Sequence, residues 1–474
     1  VTETTYDLIV IGAGAVGENI ADRAVQGGLS ALVIESELVG GECSYWACMP
    51  SKALLRSGIA LRAAQAVGGA KEAATGELDV AATFKRRDSF TSNWDDKGQV
   101  DWLSGAGIDL VRGHARITGE KEVTVDDTVY TARFAVAVSV GSDALLPDIP
   151  GLKDVSPWTS RDATSAKIAP RRLAIIGGGV VGVEMATAYA SFGTKVTIIA
   201  RTALLGGQEP FAGEMVTAAL TKMGVDVLVG VSTTSASRTD AGVALALDDG
   251  STVTADEVLV AIGRTPRTGD LGFENIGLTS GDWMSVDDTL LVKGFDWLYA
   301  GGDVNHRALL THQGKYQARA MGDVIVARAL GKPVSDGPFG SHVATADHEM
   351  VPQVTFSDPE VASVGLTAAA AEKAGYDTRV IDYNLGWVAG ASVQADGYEG
   401  QARMIVDEKR GVILGVTFVG QDVSEMLHAA TVAVVGEVPI DRLWHAVPAY
   451  PTMNEIWLRL LETYGRPDGL PKKN

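Results

Sequence analysis

The sequence is poor in thiols: of 474 residues only two, Cys43 and Cys48, are cysteine. One pair cannot build the disulfide framework of a secreted scaffold. Nor does it make a zinc site alone, since tetrahedral zinc takes further ligands and no other cysteine or close histidine pair stands nearby. Positive charge is scarce as well. Forty Lys and Arg against 59 Asp and Glu leave a net charge of −19, which repels nucleic acid and anionic membrane surfaces alike. No apolar run approaches the roughly 18–20 residues of a membrane span. The first residues, Val1 to Asp7, lack the basic and apolar regions of a signal peptide and lead straight into a strand-like run, so a cytoplasmic location is expected. There is no low-complexity linker.

What is present points to α/β architecture. The 55 glycines and 46% apolar content fit a protein with a substantial core and many tight turns, and the length allows about three domains. Tyr6-Asp-Leu-Ile-Val-Ile11 reads as a buried parallel strand. It runs into Gly12-Ala-Gly14-Ala-Val-Gly17, a helical stretch from Glu18 to about Gly28, and a second strand, Ala31–Ile34, closed by Glu35. Glycines in this pattern allow a tight turn and close approach to a pyrophosphate at the helix N-terminus; Glu35 is placed to accept hydrogen bonds from a ribose.

The arrangement recurs downstream, with Leu173–Ile176 as strand, Gly177-Gly-Gly179-Val-Val-Gly182 as turn and Lys195–Ile199 as second strand. Eighteen residues past Gly182 the acid is replaced by Ala200, and Arg201 follows. A carboxylate there would bind the 2′-hydroxyl of NAD, whereas an arginine accommodates the 2′-phosphate of NADP. NADPH is therefore the expected donor, with NADH possible. A merely solvated Arg201 is the alternative.

Between the fingerprints lies Cys43-Ser-Tyr-Trp-Ala-Cys48-Met-Pro-Ser-Lys52, followed by a helical run from Ala53 to about Ala66. Four intervening residues can close a small disulfide loop at a helix start. The helix N-terminus favours a thiolate, and Lys52 adds a positive charge. Such a pair suits reversible thiol–disulfide exchange. Two packed cysteines, or half a zinc site, are the readings it competes with.

With these residues in place, the chain resembles the class I pyridine nucleotide-disulfide oxidoreductases, a family that includes dihydrolipoamide dehydrogenase, glutathione reductase and mercuric reductase. The resemblance extends through Ser139-Val-Gly141-Ser142, Ile149-Pro-Gly151, Val260-Ala-Ile-Gly263-Arg-Thr-Pro266, Leu298–Asp303, and Val351–Phe356 through Val364-Gly365. It implies two Rossmann-like domains, for FAD and NAD(P), plus a C-terminal α+β dimerisation domain. The expected boundaries are 1–150 with 270–345 for the FAD domain, 151–269 for the NAD(P) domain and 346–474 for the interface domain. It also implies FAD bound with help from Ser142 and Asp303, and Gly263 in the nucleotide sites. By the same resemblance Cys48 forms the thiolate over the flavin and Cys43 handles exchange, while Lys52 and Glu184 form the ion pair beside flavin N5. A homodimer is implied, with the last segment completing the other subunit's active site.

Three departures from the family pattern bear on the acceptor. The interior of the cysteine loop is Tyr45-Trp46-Ala47 where the family writes Asn and Gly. The family's H-P-T-x-x-E reads Tyr450-Pro-Thr-Met-Asn-Glu455, so a phenol, a poor proton shuttle at neutral pH, stands at the base position. His445, five residues upstream, is the candidate substitute base, a structural histidine being the alternative reading. The tyrosine and the Arg201 region resemble mercuric reductase most, yet the tail Gly465–Asn474 carries no cysteine pair to hand over a metal ion. The expected function is therefore hydride transfer from NADPH through FAD to Cys43–Cys48 and on to a small-molecule disulfide. A quinone or metal-ion reductase acting from the flavin is the alternative. A dihydrolipoamide dehydrogenase subunit of a multienzyme complex is a third reading, opposed by Tyr450.

Overall fold

The buried run after Thr5 forms strand β1 (Thr5–Ile11), whose Leu8, Ile9 and Val10 are wholly inaccessible to solvent. Each such side chain contributes roughly 1.5–3 kcal/mol relative to an exposed one, which fixes the strand in a sheet interior. The structure, a computed structural model, describes residues 4–466. The N-terminal residues 1–3 and most of the cysteine-free tail, 467–474, lie outside the described residues.

Two units are compact in themselves. The first takes the chain up to Pro50, Arg86–Leu145 and Gly263–His348. Helix α1 (Ala15–Gln26) follows β1 and leads to β2 (Ala31–Glu35), which pairs in parallel with β1 in the register Leu8↔Ala31 to Ile11↔Ile34. The sheet is completed by Asp109–Arg112 beside β2 and by Thr128–Val138 on the other side of β1. Two antiparallel strands, Glu122–Val125 and Ala115–Gly119, extend it, and Leu298–Ala300 adds a parallel strand to Thr128–Val138. Helix Thr311–Ala329 packs along α1: a Cβ on Gly314 would meet Val16, and Arg23 holds Asp323 through two nitrogens, the closer at 2.7 Å.

The second unit takes Ser51–Lys85, Leu146–Ile262 and the chain from Glu349. Its four-stranded parallel sheet runs Asp226–Val229, Lys195–Ala200, Arg172–Ile176, Glu257–Val260. A three-stranded antiparallel sheet, Thr233–Thr239, Gly242–Leu247 and Thr252–Ala255, follows in sequence. A five-stranded antiparallel sheet is ordered Pro352–Thr355, Glu360–Gly365, Val412–Gly420, Gln401–Asp407, Thr378–Asn384. Val361 and Val419 of that sheet share a core with Val183 and Ala186 of the helix Val180–Ser191. The mixed α/β architecture is the one expected. Among the described residues no helix is long and apolar enough to cross a membrane.

One helix begins earlier than the sequence suggests. The run expected from Ala53 starts at Cys48 itself (α3, Cys48–Gln65). Pro50 is no obstacle there, because first-turn N–H groups have no intrahelical partner for proline to remove.

Candidate functional site

The first fingerprint is a tight backbone cradle. Gly12 has φ +98, and a Cβ on it would lie 2.6 Å from the Ser139 carbonyl oxygen; one on Gly17 would lie 1.9 Å from the Gly12 oxygen. Both glycines are thus demanded by the fold. Gly14 is different. As the N-cap of α1 it has an ordinary extended conformation (φ −71), and a Cβ there would meet nothing nearer than Gly41 Cα at 4.0 Å. No side chain caps this helix, which leaves its first N–H groups without a side-chain acceptor, as a pyrophosphate site requires. Glu35 closes β2 and turns back on the loop, its Oε2 accepting from the Ala13 N–H at 2.7 Å and its Oε1 from the Glu37 N–H at 2.7 Å.

The second fingerprint repeats this geometry. Gly177 (φ +120) and Gly182 leave no room for a Cβ, with 2.2 Å to the Ala261 oxygen and 2.2 Å to the Gly177 oxygen respectively. Gly179, the uncapped N-cap of Val180–Ser191, has nothing within 4 Å. Arg201 is exposed directly after the strand Lys195–Ala200. Both cradles have room for a dinucleotide, since a Cβ on either N-cap glycine would meet no close packing.

In the first unit Ser142, buried, donates to Asp303 Oδ2 at 2.5 Å. Arg264 reaches the same serine through Nε at 2.5 Å and lies 3.7 Å from Asp303. Gly263, φ +147, precedes that arginine in the chain. Asp303 sits in a short 3-10 turn, Gly302–Asn305, right after the parallel strand Leu298–Ala300. Serine, aspartate and arginine thus come from three distant segments to one polar cluster. Arg264 was not singled out by sequence, although it lies inside the Gly263-Arg-Thr-Pro266 motif.

Cys43 lies in α2 (Gly41–Tyr45) and Cys48 opens α3; both are half-buried. The Cys43 thiol is held well above the ordinary thiol range, first by its hydrogen bond to Cys48, then by burial and the Cys48 charge. A hydrogen bond from Thr311 and the charge of Lys315 pull the other way. Thr311 Oγ1 also lies 3.2 Å from Cys48 Sγ. The two sulfurs are therefore partners, and the Thr311–Ala329 helix supplies a hydroxyl and, one turn on, a cation. Neither Thr311 nor Lys315 was legible in the sequence, since both lie more than 260 residues from Cys48 and match no motif. Tyr45 is buried, donates to Gln99 Oε1 at 3.1 Å, and meets Trp46 edge-on at 5.7 Å, so the loop aromatics pack. Its phenol is pushed up to about 12, mainly by burial.

In the second unit Lys52 Nζ donates to Glu184 at 2.8 Å and stands 4.8 Å over the Phe356 ring. Glu184, almost fully buried in the second fingerprint helix, also accepts the Phe356 backbone N–H at 3.0 Å. The expected ion pair is formed, and Phe356 is an additional member that its place in Val351–Phe356 could have suggested. In the C-terminal segment, Tyr450 is 76% exposed whereas Glu455 is buried. The Glu455 carboxylate accepts from Arg459 at 2.6 Å and from the Ala389 N–H at 3.0 Å. Tyr450 and Glu455 both line a cavity of about 250 Å³ with Trp444, Val447 and Leu458. His445 is exposed and does not line that cavity.

Residues 6–327 match the family described as pyridine nucleotide-disulphide oxidoreductase, and residues 351–460 match its dimerisation domain. The chain is 31% identical to a dihydrolipoyl dehydrogenase of Haloferax volcanii, with 97% of this chain and 96% of that protein covered. It is 29% identical to a mercuric reductase of Staphylococcus aureus, with 95% of this chain and 81% of that protein covered. In fold it is similar to the HOCl-induced flavoprotein disulfide reductase RclA from Escherichia coli in its Cu(II) complex, with a TM-score of 0.83, 23% identity, and 97% and 99% of the two chains covered. The chain belongs to the pyridine nucleotide-disulphide oxidoreductases, FAD enzymes that take electrons from NAD(P)H.

Proposed function

We propose that this enzyme is a disulfide reductase that uses NADPH, with Cys43 and Cys48 as the redox pair and a small-molecule disulfide as acceptor. The observation that carries the reading is the facing of the two sulfurs beside Thr311 and Lys315. Packed structural cysteines have no need of a hydroxyl and a cation, whereas an exchanging pair has need of both.

Bound FAD supplies the two-electron link between nicotinamide and the cysteine pair. Gly12, Gly14 and Gly17, with Glu35, Ser142 and Asp303, are assigned to FAD; Gly177, Gly179, Gly182 and Arg201 to the nicotinamide nucleotide, with Gly263 at the nucleotide sites. The corresponding domains are 1–150 with 270–345, 151–269, and 346–474 for the interface. Arg201, standing where an acid would select NAD, favours NADPH over NADH. Lys52 and Glu184 keep the ion-pair role that the family resemblance gives them, and Tyr450, Glu455 and His445 are assigned to the acceptor side. In exchange, the Cys43 thiolate attacks one sulfur of RSSR′, forming Cys43–S–S–R and releasing R′S⁻, which takes a proton from solvent. Cys48 then displaces RS⁻, which takes a second proton, and the Cys43–Cys48 disulfide is restored.

Replacing Cys43 with Ser is the direct test. Disulfide turnover is expected to fall by more than a hundredfold while NADPH-driven quinone reduction stays within about twofold. Disulfide turnover that survives the replacement moves the function to quinone or metal-ion reduction from the flavin. An NADH preference in the wild-type enzyme refutes the assignment of Arg201.

A further inference from the structure

Glu18 follows the third glycine of the first fingerprint and lies in the first turn of α1, its N–H bonded to the Gly14 oxygen at 3.1 Å. Residues four apart share a helix face. Gly14 is the point where α1 meets the start of α2: it forms a bridge with Gly40, and a Cβ on Gly41 would lie 2.8 Å from Gly14 Cα. Glu18 is therefore on the face of α1 turned toward α2, the helix of Cys43. Consistent with that, its charge is felt at Tyr45 of the same helix. The Glu18 Oε1 is buried and has no hydrogen-bond partner among the described residues.

A third helix closes the group. On Thr311–Ala329, Gly314 is packed against Val16 of α1, and Thr311 and Lys315 lie one turn apart on one face. Thr311 meets Cys48, and Lys315 acts on both the Cys43 thiol and the Glu18 carboxyl. One ammonium therefore acts electrostatically on both an acid and a thiol.

We propose that Glu18 is a positioning residue of the Cys43–Cys48 site, its carboxyl charge set against that of Lys315 and so setting how much of that positive charge reaches the Cys43 sulfur during thiol–disulfide exchange. This rests on the disulfide-reductase reading above. The groups that face Glu18 are Lys315 from the Thr311–Ala329 helix, Glu35 from β2 and Tyr45 from α2. Burial pushes the Glu18 carboxyl up to about 7, Lys315 opposes the rise and Glu35 adds to it. While Glu18 is neutral, the Lys315 charge is undivided and the Cys43 thiolate is favoured. Once Glu18 ionises, that charge is partly neutralised and the thiolate is disfavoured. Because Tyr450 occupies the position of the family's base, control of the thiolate from within this three-helix group has added weight.

The experiment follows alkylation of Cys43 by iodoacetamide in the flavin-loaded enzyme from pH 5.5 to 9, after anaerobic reduction by NADPH. Wild type is expected to show a bend near pH 7, below the ionisation of the Cys43 thiol itself. In Glu18→Gln the bend disappears and the rate at pH 8 rises about threefold or more. Glu18→Asp, which keeps the carboxyl, retains the bend. Lys315→Met lowers the rate about tenfold, and adding Glu18→Gln to it changes little further, as coupled sites require. A Glu18→Gln profile equal to wild type, or effects of the two substitutions that simply add, overturns the proposal. If Glu18→Gln does not fold, Lys315→Met decides alone, and an unchanged bend there is fatal. Reduction by dithiothreitol exposes the same thiol, so a failure confined to NADPH counts against the disulfide-reductase reading and leaves the role of Glu18 measurable.

Discussion

A carboxyl oxygen buried without a hydrogen-bond partner has a cost that depends on pH, and Oε1 of the half-buried Glu18 is one. Its value rises from the ordinary 4.5 to about 7, first through burial. A group raised in the folded state contributes stability that is complete below the unfolded value of 4.5 and is lost as pH climbs through about 7. The loss amounts to on the order of 3 kcal/mol by pH 8.5. Denaturant unfolding of wild type and Glu18→Gln at pH 5 and pH 8.5 checks this: wild type should weaken relative to the glutamine variant by roughly that amount. A stability gap between the two proteins that is the same at both pH values shows that Glu18 is not strained when ionised. In the sequence Glu18 appeared only as the start of a helical stretch. There was no hint of Lys315. Local spacing identifies cysteines, glycines and the acid after a strand. It is silent on the hydroxyl and the cation that a helix starting at Thr311 brings to them, because that proximity is created only by the packing of α1 on the later helix.

Elements show a sharper division between what the fold demands and what a ligand demands. Gly12 and Gly177 have positive φ and no space for a Cβ, so alanine there strains the loop whatever is bound. Gly14 and Gly179 have φ of −71 and −80 and room to spare. Alanine at Gly14 or Gly179 should therefore leave the unfolding midpoint within about 0.5 kcal/mol of wild type. Gly14→Ala is expected to purify with most of its flavin missing. Gly179→Ala should keep its flavin and raise KM for NADPH at least tenfold, at about 1.4 kcal/mol per factor of ten. Full flavin in Gly14→Ala, or an unchanged KM in Gly179→Ala, would mean that no pyrophosphate lies on that helix N-terminus. Strand–turn–helix–strand order was legible because a buried parallel strand is a continuous apolar run and the glycine spacing is dictated by backbone contact. The start of α3 was not. The run expected from Ala53 begins at Cys48, with Pro50 inside the first turn, where proline costs nothing.

The C-terminal segment exposes more apolar surface than one chain explains. Val447 is 85% exposed, Tyr450 76%, Trp387 73% and Val393 71%, all within the region matching the family's dimerisation domain. Exposed apolar side chains of this size suit a surface that another protein covers, and the match to a dimerisation domain supports a second copy as that partner. Glu455 bears on the same point, since its carboxylate is engaged by Arg459 and the Ala389 N–H and thereby anchors the helix Glu455–Tyr464 behind Tyr450. If Tyr450 and Glu455 stand opposite Cys43 of the other subunit, as the resemblance implies, a monomer would keep its flavin chemistry and lose its acceptor site. Val447→Asp places a charge at the most exposed of these positions and should shift sedimentation from dimer to monomer. In that monomer, NADPH-driven reduction of a quinone should stay within about twofold of wild type, because it needs only one chain. Turnover of a disulfide should fall at least tenfold, because the surface that receives it is assembled from two. A monomeric variant that reduces disulfides at the wild-type rate would place the whole acceptor site within one chain and take Tyr450 out of it.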